Sequence, residues 1–93
     1  MDRDSRERRF QRSLFHVMKV AEATRDLATV SASALAELAV LCEDLATRAG
    51  PVREQRYWDM AARLRERSRE QAAFAEWESE EIRRLFGDYT APP

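Results

Sequence analysis

The chain has 93 residues, 44 % of them hydrophobic, with 16 basic and 17 acidic side chains and a net charge of −1. That length excludes more than one small domain, and a core this size is marginal unless association extends it. Balanced charge gives no overall pull toward nucleic acid or anionic lipid, and a lone cysteine excludes an internal disulfide.

With two Gly and three Pro against abundant Ala, Arg, Glu and Leu, the composition belongs to long helices and an all-α fold. No uninterrupted apolar run is long enough to span a membrane, and the charged start MDRDSRERRF is not a signal peptide. The expectation is a soluble, cytoplasmic chain forming one helical domain over 1–93, with 1–4 and 88–93 as flexible ends.

Asp4 followed by Glu7 has the spacing of a capping box. From there a heptad runs unbroken. One column is Phe10, Val17, Thr24, Ser31, Leu38 and Leu45. The other is Leu14, Ala21, Ala28, Leu35, Cys42 and Ala49. Together they predict a helix over about 5–49, buried along one stripe. A flanking column, Val20, Leu27, Ala34 and Leu41, is also apolar, so the stripe is wider than one partner helix covers.

Gly50 stands where a left-handed residue closes a helix, and Pro51 suits the first turn of the next one. A second helix over about 51–86 follows, folded back antiparallel. Its expected apolar face carries Tyr57, Met60, Ala61, Leu64, Ala75 and Ile82, then Leu85 and Phe86, with Phe74 at the edge, and Gly87 marks its end. The two helices reach about 65 Å and about 50 Å, so the N-terminal end of the first overhangs. The rival architecture is a three-helix bundle, with a break near Thr24–Ser33 where Thr24, Thr29, Ser31 and Ser33 are available as caps.

A two-helix hairpin leaves part of this stripe uncovered, so the chain is expected to form a homodimeric four-helix bundle or to pack on another helical protein. The residues expected to bind the partner are Val20, Leu27, Ala34 and Leu41, with Trp58 and Trp77 as aromatic anchors on opposite flanks of helix two. Two polar interruptions, Thr24 and Ser31 on helix one and Gln71 and Glu78 on helix two, fall at about the same height. They read as a register-fixing layer or as a ligand cleft. The Arg-rich segment 3–12 and the acidic stretch 76–81 suggest complementary charge between subunits.

Signatures of catalysis are missing. Cys42 lies on the seam, where a thiol is inert packing. A single His and a single Cys make no zinc set, and neither glycine belongs to a phosphate loop. The expectation is a non-enzymatic interaction module, adaptor-like, chaperone-like or regulatory, without cofactor or metal and with nucleic acid disfavoured as a partner.

Two resemblances bear on this. His16-Val17-Met18-Lys19 resembles the phosphoacceptor stretch of histidine-phosphotransfer domains. That resemblance implies, as the alternative function, His16 as phosphoacceptor with Lys19 offsetting the charge; the glycine that follows the Lys in that family is Val20 here. The length and hairpin also look similar to the small secreted hairpins of the type VII secretion family, whose Trp-x-Gly turn is replaced by Ala49-Gly50-Pro51.

Overall fold

The computed structural model describes residues 2–87. They form two α-helices, α1 (Asp2–Arg48) and α2 (Pro51–Phe86), packed antiparallel as a rod of 75 × 17 × 17 Å. The fold is the all-α helical hairpin that the heptads imply.

No glycine or proline interrupts α1, and its Ala, Leu, Arg and Glu content favours helix throughout. Asp2 and Asp4 sit in its first turn and Arg48 in its last, each facing the helix end of opposite partial charge. The helix therefore begins earlier than the capping-box pattern indicates. Asp4 lies inside it and is not its cap, and residues 2–4 are helical where a flexible end was expected. Met1 and the tail 88–93 lie outside the described residues.

The three-helix alternative fails, because α1 is continuous through Thr24–Ser33. The hydroxyls of Thr24 and Thr29 donate to the carbonyls of Val20 and Arg25 one turn back, at 2.9 and 3.1 Å. They bond their own helix instead of starting a new one.

The turn also differs from expectation. Gly50 is not left-handed; it is extended (φ −70°, ψ 166°) and serves as the N-cap of α2. Pro51 is the cause, since its ring drives the preceding residue out of the helical region. The Gly50 carbonyl then accepts the amides of Arg53 and Glu54 at 3.0 and 3.1 Å. Gly87 is right-handed, donating its amide to the Arg83 carbonyl at 2.9 Å.

The larger correction concerns which stripe faces inward. Of the two expected columns on α1, only the one containing Ala28 and Cys42 turns toward α2. Its companion is Met18, Arg25, Ala32, Ala39 and Ala46, all buried or half-buried. The column Phe10, Val17, Thr24, Leu38 and Leu45 is exposed, with Ser31 half-buried. The buried set on α1 is thus Ala28, Ala39, Cys42 and Ala46, met from α2 by Ala61, Ala75 and Phe86. Small side chains allow the two helices to approach closely, and Leu64 packs against Ala39, Cys42 and Ala61. On α2, Tyr57, Leu64 and Ile82 are half-buried as expected, whereas Met60 and Leu85 are exposed.

Two cross-helix interactions set the register. The Ser68 hydroxyl donates to the Ala32 carbonyl at 2.7 Å, and the Arg65 guanidinium forms a two-pronged ion pair with Glu43. In both, the residue numbers add to between 100 and 108. Phe86 therefore lies level with about residue 17, and about the first four turns of α1 extend beyond α2.

Candidate interaction face

The hairpin has two broad sides. Glu43 and Arg65 mark one. The other carries an open groove of about 550 Å³ lined by Ser31, Ala34 and Leu35 from α1 and Arg67, Glu70 and Gln71 from α2. Heptad spacing places the remaining side chains. Val20, Leu27 and Leu41 share the column of Ala34, while Phe10, Val17, Leu38 and Leu45 share that of Ser31. On α2, Met60 and Phe74 lie one heptad either side of Arg67, and Trp77 lies one heptad beyond Glu70.

One face therefore gathers most of the exposed large apolar side chains of α1, together with an aromatic pair; Phe15, Val30 and Val40 lie outside it. Leu27 is 67 % exposed and Trp77 53 %. The rings of Phe74 and Trp77 tilt against each other with centroids 6.0 Å apart. By contrast, among the described residues no large side chain is fully buried, and Ala39 at 0 % is the most covered apolar residue. Most of the large apolar side chains among the described residues are exposed. Exposed apolar side chains gathered in this way are uncommon on monomeric soluble proteins.

Of the six residues expected to bind a partner, Val20, Leu27, Ala34, Leu41 and Trp77 share this face and are exposed. Trp58 does not. It belongs to the column of Arg65 on the opposite side, where its indole N–H donates to Glu54 at 3.3 Å. The face also includes Val17, Leu38, Leu45, Met60 and Phe74, which sequence reasoning had assigned to the hairpin core or its edge. Their seven-residue spacing was the available signal.

The polar layer is partly assembled. Ser31 and Gln71 line the same groove, joined by Arg67 and Glu70. Thr24 bonds its own helix, and neither Thr24 nor Glu78 lines the groove. The register bond runs instead from Ser68 to the Ala32 carbonyl. The groove is an open trough on the surface, unlike the concave, mostly enclosed pockets that hold small ligands.

Electrostatics outside the groove are modest. The Arg65 guanidinium beside Glu43 holds that carboxyl below the usual carboxylate range, and Arg84 does the same to Glu81. His16 is exposed on α1. The Lys19 ammonium lies 3.7 Å from Glu22 and 5.3 Å from the Phe15 ring centre. Cys42 is buried in the alanine seam. Among the described residues no group of three His, Cys, Asp or Glu is placed to hold a metal ion, and no helix is long and apolar enough to cross a membrane.

Compared with protein-family models, with characterised proteins and with solved structures, the chain matches none.

Proposed function

We propose that this chain is a non-enzymatic helical interaction module that works by packing its apolar face against another helix pair, forming a four-helix bundle as a homodimer. Adaptor, chaperone-like and regulatory roles all use such a surface. The reading is carried by one contrast: the hairpin buries mostly alanines, with Cys42 and Phe86, and exposes Val17, Leu27, Leu38, Leu41 and Trp77. A core of alanines offers little transfer energy, since most of the hydrophobic gain comes from large side chains. A lone hairpin of this kind is marginal, and covering the second stripe supplies what is missing. The stripe on α1 lies about a quarter-turn from the seam with α2, which is the angle a square bundle requires.

Thermal unfolding followed by circular dichroism over a range of protein concentrations tests this. A chain that folds as a dimer melts at higher temperature as concentration rises. A melting temperature independent of concentration contradicts the homodimer.

A further inference from the structure

We propose that the second copy packs antiparallel to the first, face to face, with the twofold axis passing beside Leu27 and the Phe74–Trp77 pair. This rests on the homodimeric reading above and names its geometry.

The face has the size of a stable interface. From Phe10 to Leu45 the stripe runs about 52 Å, at the helical rise of 1.5 Å per residue. With the 17 Å width of the rod this makes a footprint of roughly 900 Å², where a standard interface uses about 800 Å² per partner.

The pattern on the face is self-complementary under reversal. An interface between identical copies related by a twofold axis must match its own reversed image about one point. The midpoint between Phe10 and Leu45 falls beside Leu27, the most exposed large apolar side chain of α1. By the register of the hairpin, the same height on α2 lies between Phe74 and Trp77. The largest apolar groups of the face therefore sit at its centre, where anchors of an interface belong. Reversal about this point brings Phe10 to the height of Leu45 of the partner subunit and Val17 to that of Leu38 of the partner subunit. Thr24 arrives beside Ser31 of the partner subunit, so the polar interruptions meet each other.

Charge gives the direction. The column bordering the stripe on the outer side of α1 reads Arg9, His16, Ala23, Val30, Glu37 and Asp44. It is basic at one end, apolar in the middle and acidic at the other. Antiparallel packing sets Arg9 level with Asp44 of the partner subunit, and His16 level with Glu37 of the partner subunit, whose carboxylate accepts an imidazole N–H. Such flanking positions set partner orientation in packed helices. Within one chain Arg9, His16 and Glu37 make no ion pair among the described residues, and Asp44 is held only by Arg48, at 3.4 Å.

Parallel packing fails on both counts. Setting α1 beside α1 in the same direction places Arg9 against its own copy. A twofold axis along the rod lays the apolar stripe over the α2 positions of Arg63, Arg67, Glu70 and Glu81, and burying those charges without partners is costly.

The arrangement also accounts for the unequal helices. The part of α1 that extends beyond α2 runs along the turn end of the partner, so that Phe10 covers the height of Leu41, Leu45 and Met60. Its arginines then lie near the acidic groups of that end, Asp44, Glu54 and Asp59, instead of near the stretch 76–81 expected from charge alone.

Distances between paired spin labels test the direction. Single cysteines are introduced by Arg12→Cys or Ser33→Cys, both on the outer surface of α1, in a Cys42→Ala background whose helicity and mass are checked first. Antiparallel packing separates the labels at 12 along the rod by about 45 Å and those at 33 by about 17 Å, from the helical rise. The expected result is thus a clearly longer distance at 12 than at 33. Equal distances at the two sites in a dimer overturn the antiparallel assignment and leave the homodimeric reading standing. A single-chain mass with no coupling between labels overturns both. As a second arm in the otherwise unaltered chain, Arg9→Asp weakens the dimer by up to about tenfold, and adding Asp44→Arg recovers it. Lack of recovery overturns the charge pairing.

Discussion

Leu27→Ala removes the side chain at the centre of the proposed interface. Leu27 is 67 % exposed in the single chain, so about two-thirds of the value of burying its side chain is realised only on association. At about 0.8 kcal/mol per buried methylene, the carbons lost on truncation to Ala are worth about 1.6 kcal/mol per copy and about 3 kcal/mol per dimer. That corresponds to a dissociation constant raised by about two orders of magnitude. The helix itself is not weakened, because Ala is the better helix former and Leu27 makes no contribution to the buried seam. Sedimentation equilibrium across a dilution series measures the constant, and far-UV circular dichroism at high concentration verifies that helicity is kept. A constant within about threefold of the parent refutes the placement of Leu27 at the centre of the interface.

Other substitutions probe the hairpin itself. Gly50→Ala should be neutral or stabilising by about 0.4–1 kcal/mol, because Gly50 is extended and an added Cβ meets nothing within 4 Å; a clear fall in melting temperature contradicts the extended turn. Ala39→Leu should destabilise by about 1–3 kcal/mol in urea unfolding, since the seam at Ala39 has no room for a larger side chain. Ser68→Ala removes the cross-helix bond to the Ala32 carbonyl and should cost about 1 kcal/mol in the same assay. The Glu43–Arg65 pair predicts a pH dependence. Glu43 has a depressed folded-state pKa, so its contribution is present above the ordinary carboxylate range and is lost as pH falls through that depressed value. Glu43→Gln should therefore lower stability at neutral pH and flatten its acid limb.

The helices and their turn were legible because each rests on a local rule. Alanine-rich heptads without Gly or Pro make α1 continuous, and Gly50-Pro51 ends it. The conformation of Gly50 was misread for a physical reason: the closing glycine of a helix is commonly left-handed, but here the following proline dictates an extended backbone. The choice of inner stripe was not legible. Three apolar columns lie side by side on α1, and any adjacent pair makes a heptad. Large residues drew the expectation toward Phe10, Val17, Leu38 and Leu45. The hairpin instead closes over Ala28, Ala39 and Ala46, where small side chains allow close approach, and leaves the large ones outward. The column Val20, Leu27, Ala34 and Leu41 is exposed as its spacing implies, and the neighbouring column of Phe10, Val17, Leu38 and Leu45 is exposed beside it. Trp58 and Trp77 lie on opposite sides of the hairpin, as their spacing on α2 implies, but which of them shares the face of Leu27 depends on the register that the Ser68–Ala32 and Arg65–Glu43 interactions define.

In the proposed assembly the outward apolar face is covered by a second copy of the chain. Light scattering coupled to size-exclusion chromatography at micromolar concentration addresses it most directly. The account predicts a mass of two chains, falling to one when Leu27 and Leu41 are both replaced by Glu. A mass of one chain for the unaltered protein would contradict it.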